Sequence, residues 1–310
     1  MDRLVTVFGG GGFIGRYVCQ ALLKAGARVR IAQRDPKQAW FVKPLGGLGQ
    51  TQFVACDIRD RDQVSRAVAG SDAVVNLVGV LKGNFKAFHV DGARNIAEAA
   101  AAAGARTLVH ISAIGADPAS PSAYGRSKGE GEHAVRKAFP DAIILRPSIV
   151  FGREDNFINR FARMARLLPV LPIVGGKTKF QPVYVADVAR VVCESIANPD
   201  AHAGQTYELG GPQILSMHDL NALICKQTGR SNLLIDVPDI VASAMARVGS
   251  FLPGAPITWD QWLMLQRDNV VSGAEGLKAF GITPTPIAAV ADGWLTSYRR
   301  HGRFAAKSPY

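Results

Sequence analysis

The sequence predicts an α/β protein with a doubly wound parallel sheet and a smaller C-terminal lobe. Short apolar runs of β type alternate with helical segments over the first 150 residues, and a glycine-rich turn follows the first run. After Val150 the alternation loosens and prolines punctuate the chain. Apolar runs separated by helices are typical of parallel strands that are covered on both faces, so the first half of the chain is expected to hold the sheet.

The predicted elements follow one another in the order that such a sheet requires. The first helix runs from Phe13 to Lys24, and a long alanine-rich helix spans about Ala93 to Ala103. The predicted strands are LVTVF at 4–8, RVRIA at 28–32, TQFVA at 51–55, DAVVNLVG at 72–79, TLVHIS at 107–112 and AIIL at 142–145. A further strand, VYV at 183–185, and the helix after it are expected to form the last parallel unit of the sheet.

The composition describes a soluble globular protein, with 48% hydrophobic and 20% charged residues among 310. No apolar run reaches the roughly 18 residues of a membrane span. The first residues, MDRLVTVFGG, enter a strand at once, which leaves no room for a signal or transit peptide. Cys19, Cys56, Cys193 and Cys225 are scattered without metal-ligand spacing, so we predict a reducing compartment, buried thiols and no metal.

The net charge of +11 is high for an enzyme of small molecules. It suggests an acidic partner or anionic lipid headgroups. No nucleic-acid motif accompanies the charge, so we predict no nucleic-acid partner. Solvated surface charge is the alternative explanation.

The glycine-rich turn GGGGFIG at 9–15 lies between the first predicted strand and the first helix. Gly9, Gly12 and Gly15 let the backbone and the helix N-terminus approach a pyrophosphate closely. The alternative, a tight strand-to-helix turn without a ligand, is weakened because the strand, the helix and the second strand all fall where a dinucleotide fold needs them. We therefore expect a Rossmann-like domain at 1–150, completed by about 181–200, and a smaller docking or substrate-like lobe at 151–180 and 205–310.

The end of the second strand favours NADP(H) over NAD(H). An acidic residue there would bind the ribose 2′-hydroxyl of NAD(H), but this chain has Gln33 and Arg34, and Arg16 directly follows the third glycine. Two guanidinium groups suit a 2′-phosphate. Asp35 keeps the alternative open, because it would reach a ribose if the strand ended one step later.

Asp57 follows the third strand and is placed to accept from the adenine amino group. Its alternative role is the N-cap of the helical segment that begins at Asp60.

Several motifs together resemble the extended short-chain dehydrogenase/reductase superfamily over nearly the whole chain. They are the glycine turn, CDIRD at 56–60, NLVG at 76–79, YGRSK at 124–128, LRPSIVFG at 145–152, QPVYVADVA at 181–189 and YELGGP at 207–212. Members of that superfamily reduce, oxidise, epimerise or dehydrate small substrates, which include nucleotide sugars.

A narrower resemblance starts from PDAIILRPSIVFGREDNFINRFARMAR at 140–166, in which GREDNFIN at 152–159 is the most specific part. Together with DQWLMLQRDNVVS at 260–272 and GLKAFGITPTP at 276–286, it resembles the 39 kDa (alpha subcomplex subunit 9) accessory subunits of respiratory complex I, in their bacterial form. The resemblance implies NADPH as a structural cofactor. It also implies docking on the peripheral arm near the membrane and quinone site, on the cytoplasmic face of a bacterial inner membrane or the matrix side in a mitochondrion.

The pair Tyr124 and Lys128 lies on one face of a predicted helix. In the superfamily the lysine lowers the pKa of the tyrosine and holds the nicotinamide ribose, and a Ser or Thr near the end of the preceding strand orients the substrate. That hydroxyl is usually the second or third of a short run, but this chain reads Ser112, Ala113 and Ile114. We therefore treat Ser112, Tyr124 and Lys128 as vestigial catalytic candidates and the pair as cofactor-holding.

The residues expected to contact NADPH are Gly9, Gly12, Phe13, Ile14, Gly15, Arg16, Arg34, Asp57, Ile58, Leu77, Val78, Gly79, Tyr124, Lys128 and Pro147. The predicted function is that of a complex I accessory subunit. One rival is a free NADP-dependent oxidoreductase or epimerase, and another is a redox-sensing regulator that binds NADPH without turnover.

Three basic or apolar segments are candidates for docking. The helix predicted at 156–168 carries an apolar stripe of Phe157, Phe161, Met164 and Leu168 and, on the other side, Arg160, Arg163 and Arg166. The apolar stripe is expected to pack within the lobe; the arginines are the docking candidate, with a solvated basic face as their alternative. The segment at 239–252 has apolar residues along one side, which would cover the core, a subunit or the headgroup layer. The basic tail comprises Arg299, Arg300, His301, Arg303 and Lys307.

Overall fold

The computed structural model describes residues 3–250, 257–273, 276–300 and 302. Its strands are β1 (Leu4–Phe8), β2 (Arg28–Gln33), β3 (Thr51–Ala55), β4 (Ala73–Asn76), β5 (Thr107–Ile111), β6 (Ile143–Pro147), β7 (Val150–Phe151), β8 (Val170–Ile173), β9 (Lys179–Phe180), β10 (Val183–Tyr184), β11 (Thr206–Leu209), β12 (Leu215–Ser216) and β13 (Leu233–Asp236). Its α-helices are α1 (Phe13–Lys24), α2 (Arg61–Val68), α3 (Gly92–Ala102), α4 (Ala123–Ala138), α5 (Ile158–Leu167), α6 (Val185–Ala197), α7 (Pro199–His202), α8 (Met217–Gln227), α9 (Asp239–Gly249), α10 (Trp259–Met264), α11 (Ile287–Val290) and α12 (Asp292–Leu295). Shorter 3₁₀ helices lie at Pro36–Leu45, Leu277–Phe280 and Thr296–Tyr298, and a π-helical segment lies at Lys86–Asp91.

Among the described residues, seven parallel strands form the main sheet, in the order β11-β6-β5-β4-β1-β2-β3. The predicted doubly wound, Rossmann-like fold is confirmed by this order, which reverses between β1 and β4. The compact unit that contains the sheet comprises Met1–Pro147, Val185–Leu209 and Ser272–Thr283.

The central strands β1, β4 and β5 are buried as their composition predicts. Val5, Val7 and Phe8 of β1 are fully buried, and every residue of β5 is buried. Helix α1 turns Val18 and Leu22 into the core, while α3 lies against α2 and α4 with small alanines between them. Because helices cover both faces, these strands carry continuous apolar runs rather than alternating ones.

The predicted last strand of the sheet is corrected by the structure. Val183–Tyr184 pairs with Val150–Phe151 in a separate two-stranded sheet. The seventh strand of the main sheet is Thr206–Leu209, which runs parallel to β6. It was missed because an edge strand is partly exposed, so TYEL does not need the apolar run that marks a central strand.

A second compact unit comprises Ser148–Tyr184, Gly210–Val271 and Pro284–Tyr310. It contains three small sheets, β7 with β10, β8 with β13, and β9 with β12, in the part of the chain that the structure describes. Phe151, Ile158, Leu220 and Trp294 contribute to one of its buried clusters. The functional division of the chain into a nucleotide domain and a docking lobe stays a prediction.

The GREDNFIN segment is held by its own polar side chains. The Asp155 carboxylate accepts hydrogen bonds from the backbone N–H groups of Gly152 (3.2 Å) and Ile158 (2.6 Å). Asn159 Nδ2 donates to the carbonyls of Arg153 and Asp155, and Asn159 Oδ1 accepts from the hydroxyl of Tyr298. Asp155 and Asn159 therefore shape the turn that leads into α5.

Two general predictions concern cysteines and membrane spans. Cys19, Cys56 and Cys225 are buried and Cys193 is half-buried, and all four thiols are free. Burial raises the pKa of the Cys19 thiol to about 12, as expected of an apolar packing residue. None of the helices in the described ranges has the length and apolar character that crossing a bilayer requires.

Candidate functional site

The candidate site lies at the carboxyl ends of β1 and β4, where the strand order reverses. Gly9 follows β1 with a φ of +80°, a conformation that side chains rarely adopt. A Cβ atom added to Gly9 would lie 3.5 Å from the carbonyl carbon of Leu77 and from the nitrogen of Val78. The structure thus brings together three predicted cofactor residues, Gly9, Leu77 and Val78, at the position where open α/β sheets bind ligands.

The glycine turn closes tightly onto the start of α1. Gly12 donates its N–H to the carbonyl of Gly9 (3.0 Å), and Arg16 donates to the carbonyl of Gly12 (3.0 Å). A Cβ atom on Gly15 would come within 2.3 Å of the Gly9 oxygen, so no larger residue fits there. Gly12 is the N-cap of α1 and has no side chain that could accept from the first-turn N–H groups, an arrangement that suits an anion.

Asp35 is engaged in a helix cap rather than turned to the site. Its carboxylate accepts from the N–H of Lys37 (3.0 Å) and from Nε2 of Gln38 (3.3 Å), and it thereby caps the 3₁₀ helix Pro36–Leu45. Gln33 Oε1 accepts from the N–H of Gly11 (2.9 Å), and its Nε2 donates to the carbonyl of Asp35 (2.6 Å). Gln33, the last residue of β2, therefore holds the glycine turn, and Asp35 holds the start of the 3₁₀ helix.

The two predicted arginines each lie over an aromatic ring. Arg16 places its Cζ atom 4.1 Å from the centre of the Phe41 ring. Arg34 lies 5.7 Å from the centre of the Phe88 ring, and Arg59 lies 5.1 Å from the same ring. All three distances are within the range of cation–π attraction.

Asp57 forms a bidentate ion pair with Arg59. The Nε atom of Arg59 lies 2.9 Å from Oδ1, and its Nη2 atom lies 2.5 Å from Oδ2. These hydrogen bonds, and to a smaller extent the charge of Arg34, hold the pKa of Asp57 below its usual range. The alternative that Asp57 caps α2 is wrong, because Asp60 is the cap and accepts from the N–H groups of Asp62 and Gln63. The predicted contact between Asp57 and the adenine amino group stays a prediction.

Tyr124 stands at the start of α4 among aromatic rings. Its ring meets Phe85 edge-on at 5.9 Å between centroids and meets His89 edge-on at 5.5 Å. Phe85 in turn stacks on His89 at 5.5 Å. Burial raises the pKa of the Tyr124 hydroxyl to about 12.

His89 is fixed in one neutral tautomer. Its Nε2 accepts from the N–H of Val80 (2.9 Å), so the proton lies on Nδ1, which donates to Ser127 Oγ (2.9 Å). Ser127 then donates to the carbonyl of Tyr124 (2.8 Å). Burial and the charge of Lys128 lower the pKa of His89 to about 3. This chain of contacts connects the loop after β4 to the first turn of α4.

Lys128 is almost fully buried, with 4% of its surface exposed. Its Nζ donates to the carbonyl of Ile111 (3.1 Å) and lies 3.5 Å from the position that a Cβ on Gly79 would take. Burial lowers the pKa of Lys128 to about 8, while the carboxylate of Glu132 opposes the shift.

Ser112 and His110 point polar atoms into the interior. Asn76 Nδ2 donates to Nδ1 of His110 (3.1 Å), which places the proton of His110 on Nε2. Within the described ranges, neither His110 Nε2 nor Ser112 Oγ has a hydrogen-bond partner, although both are buried. Burial and the nearby Lys128 lower the pKa of His110 to about 3.

The other predicted cofactor residues differ in their surroundings. Phe13 and Ile14 are half-buried in the first turn of α1. The Ile58 side chain is buried and packs against Gly92. The carbonyl of Pro147 accepts from the N–H of Ile114 (3.1 Å).

Sequence reasoning missed the aromatic and histidine residues of this site. The missed residues are Phe41, Phe85, Phe88, His89 and His110. His89 and Phe85 lie in FKAFHVDG at 85–92, where the only signal was a histidine and aromatic residues ahead of a helix. His110 interrupts the apolar strand TLVHI, and a polar residue in a fully buried strand is a signal that could have been used.

The glycine turn, the uncapped helix start and the buried Lys128 beside Gly79 suit a dinucleotide. The unpartnered Ser112 hydroxyl adds a polar group in the same unit. The chain belongs to the NAD-dependent epimerase/dehydratase family, whose model matches residues 5–210.

Within that family, its relatives include a subunit of a respiratory enzyme, which confirms the narrower resemblance. The chain is 37% identical over 294 residues to the mitochondrial "NADH dehydrogenase [ubiquinone] 1 alpha subcomplex subunit 9" of Rattus norvegicus, covering 92% of this chain and 77% of that protein. The protein of the same name from Arabidopsis thaliana is 32% identical over 316 residues, covering 96% and 79%.

An enzyme and a solved structure are also similar. The "Ceramide reductase" of Caulobacter vibrioides is 34% identical over 191 residues, which is 60% of this chain and 58% of that protein. The structure of the NADPH-dependent quinone oxidoreductase QOR2 of Escherichia coli, complexed with NADPH, superposes with a TM-score of 0.74 at 22% identity, covering 92% of this chain and 97% of that one. The latter likeness concerns the fold alone.

Proposed function

We propose that the chain is an accessory subunit of NADH:ubiquinone oxidoreductase, respiratory complex I, and that it holds NADPH as a structural cofactor. The observation that carries the proposal is the extent of similarity to alpha subcomplex subunit 9, which is 37% identical over 92% of this chain. In this role the protein stabilises the peripheral arm near the membrane and the quinone site. Its partners are other complex I subunits and anionic headgroups at the cytoplasmic face of a bacterial inner membrane.

The geometry at Tyr124 supports holding a cofactor over turning it over. NADPH can supply a hydride, and a reduction also needs a nearby acid that gives up its proton readily near neutral pH. The pKa of Tyr124 is raised to about 12 by burial, and Lys128 donates to the Ile111 carbonyl. With Ala113 and Ile114 after Ser112, the strand end also lacks the further hydroxyls that would orient a substrate.

The preference for NADPH over NADH is supported by the surroundings of Asp35. A carboxylate that binds a ribose diol points its oxygens at the hydroxyls, whereas both oxygens of Asp35 are turned to the 3₁₀ helix that it caps. Arg16 and Arg34 remain as the groups suited to a 2′-phosphate.

A docking role is supported by the surface of α9. The helix turns its small residues Ala242, Ala246 and Gly249 inward. Its large apolar residues face outward, with exposed fractions of 85% for Ile240 and 62% for Val248. Large apolar side chains on an outer helix face mark an interaction site. Arg160, Arg163 and Arg166 on α5 are exposed as well, whereas the predicted residues 251–252, His301, Arg303 and Lys307 lie outside the described residues.

Co-purification tests the proposal. An affinity-tagged chain is expressed in its own cells, membranes are solubilised gently, and the bound subunits and nucleotide are measured. We expect complex I subunits and NADPH with the native chain, and a loss of both for Arg34→Glu. Lys137→Glu, the same charge change on the exposed end of α4, is the control and should leave both unchanged.

Two outcomes would contradict the proposal. If the native chain were found alone in the soluble fraction, the proposal that it is a subunit of complex I would be wrong. An Arg34→Glu chain that releases NADPH and still assembles normally would remove the structural role of the cofactor.

A second candidate is a free NADP-dependent oxidoreductase, which the similarity to the Caulobacter ceramide reductase favours. It predicts that purified protein oxidises NADPH when an apolar carbonyl substrate is added, and that Tyr124→Phe abolishes this oxidation. The proposed subunit role predicts no oxidation above background in either protein, and it predicts that Tyr124→Phe still assembles.

A further inference from the structure

We propose that Phe41 is a positioning residue that selects the 2′-phosphorylated dinucleotide, because its ring holds the Arg16 guanidinium beside the glycine turn. The inference rests on the proposed binding of NADPH. It adds a residue that contacts no phosphate itself and acts through Arg16.

The 3₁₀ helix Pro36–Leu45 is fixed against the glycine turn. Asp35 caps its start, and Ala39 and Val42 on its inner side are fully buried. Ala39 packs so close to Gly11 that a Cβ on Gly11 would lie 3.0 Å from the Ala39 Cβ. The 3₁₀ helix therefore packs directly against the glycine turn, and this packing fixes the position of its residues relative to the turn.

Phe41 lies on this helix, half-buried, with its ring centre 4.1 Å from Cζ of Arg16. Arg16 lies in the first turn of α1, immediately after Gly15, and is half-buried too. An arginine side chain has many rotamers, and a stacked ring restricts them before a ligand arrives. Restricting them in advance raises affinity for the group that the guanidinium binds.

Arg34, the second predicted arginine, has a weaker contact with an aromatic ring. Arg34 lies 5.7 Å from the Phe88 ring, which it shares with Arg59, and the Asp57 carboxylate lies near Arg34 and partly balances its charge. The Arg16–Phe41 contact is closer and involves one ring and one cation. Arg16 is for this reason the arginine whose position an aromatic residue controls most directly.

The effect can be separated from a general structural effect. NADPH and NADH differ only in the 2′-phosphate, so an influence that passes through Arg16 changes NADPH affinity and leaves NADH affinity alone. Damage to the glycine turn would weaken both.

The experiment measures the dissociation constants of NADPH and NADH for the full-length protein by calorimetry. The variants are Phe41→Leu, Arg16→Met and the double variant. We expect Phe41→Leu to weaken NADPH binding about 3- to 20-fold, the range of a cation–π contact, with NADH unchanged. The double variant should bind NADPH no more weakly than Arg16→Met alone, because Phe41 then has no guanidinium to hold.

Two further variants complete the test. Phe41→Tyr keeps the ring and should retain the preference for NADPH. Trp40→Leu removes the neighbouring aromatic side chain, which is 56% exposed, and should leave the affinity ratio unchanged.

Equal weakening of NADPH and NADH by Phe41→Leu, no weakening at all, or additive losses in the double variant would each overturn the role of Phe41. A native protein that binds NADPH no better than NADH would instead overturn the proposed cofactor, which the same titration shows before any variant is made.

Discussion

At the scale of single residues, the candidate site consists of ionisable groups kept in unusual states by burial. His89 and His110 are neutral, with pKa values lowered to about 3, and the pKa of Lys128 is lowered to about 8. Each group has at least one fixed hydrogen bond: Val80 donates to His89, Asn76 donates to His110, and Lys128 donates to Ile111. Removing these groups from water makes their charged forms unfavourable, so the unfolded chain binds protons more readily than the native one.

The two buried histidines predict loss of stability in mild acid. Between about pH 6.5 and 3 the unfolded chain protonates them and the native chain does not, so the free energy of unfolding should fall as the pH falls through this window. Each histidine contributes a slope of at most about 1.4 kcal/mol per pH unit. Urea unfolding at a series of pH values measures this slope of the free energy of unfolding against pH.

His89→Gln and His110→Gln should each flatten that dependence, whatever they do to stability at neutral pH. His133→Gln, on the exposed side of α4, should leave the slope as it is. Equal slopes in all four proteins would show that the buried histidines do not remain neutral.

At the scale of elements, α4 shows how close packing replaces helix propensity. Glycines at 125, 129 and 131 are poor helix formers, and each costs about 1 kcal/mol relative to alanine in an exposed helix interior. They allow neighbouring backbone to approach α4. A Cβ on Gly131 would lie 2.1 Å from the carbonyl oxygen of His89, and one on Gly129 would lie 2.5 Å from the nitrogen of Pro118.

Gly131→Ala is expected to destabilise the protein by about 1–3 kcal/mol, because the backbone at His89 must move away. The matched control is Gly293→Ala on α12, where a Cβ meets nothing within 4 Å and should stabilise by up to about 1 kcal/mol. Chemical denaturation compares the two. If both variants were more stable than the native protein, the π-helical segment that contains His89 would have to move away from α4 at little energetic cost.

The outward apolar face of α9 predicts a different behaviour. Ile240→Ser and Val248→Ser should change the free energy of unfolding of the isolated chain by less than about 0.5 kcal/mol, because both side chains are exposed. They should reduce co-purification of complex I subunits. Leu48→Ser, at a fully exposed leucine in a loop, is the control for loss of an apolar side chain and should affect neither quantity. Normal assembly of both α9 variants would exclude this face as the docking surface.

At the scale of the whole molecule, a structural cofactor acts through linkage. NADPH that binds the native state alone stabilises it by about 2.7 kcal/mol at a concentration one hundred times its Kd. Under the proposed function, assembly of complex I depends on the supply of NADPH without any reaction of the nucleotide.

We accordingly expect NADPH to raise the Tm of the purified protein, and NADH at the same concentration to raise it less. Gly15→Ala should abolish both shifts, since its Cβ would come within 2.3 Å of the Gly9 oxygen and open the turn. Differential scanning calorimetry measures the shifts. An unchanged Tm with saturating NADPH would contradict a stabilising cofactor.

The amino-acid sequence was enough to locate the central strands and the glycine turn. LVTVF was placed on the residues that form β1, and TLVHIS covers β5, because buried parallel strands need continuous apolar runs. Gly9 and Gly15 were identified from the glycine spacing that lets backbone approach a pyrophosphate. The structure adds a physical reason, because Gly9 has a positive φ and Gly15 packs backbone on backbone. Such requirements act on residues that are close in sequence, so they produce a recognisable local sequence pattern.

Tertiary structure alone decided the remaining points. It placed TYEL at the sheet edge, used Asp35 as a cap, set Phe41 over Arg16 and joined His89 to Ser127 across 38 residues of chain. These contacts depend on which elements meet in space, and an exposed strand, a 3₁₀ helix or a buried histidine has no periodic pattern to indicate its partner. The burial of Tyr124 and Lys128, which raises the pKa of the tyrosine and lowers that of the lysine, likewise comes from tertiary packing, and their roles stay a proposal.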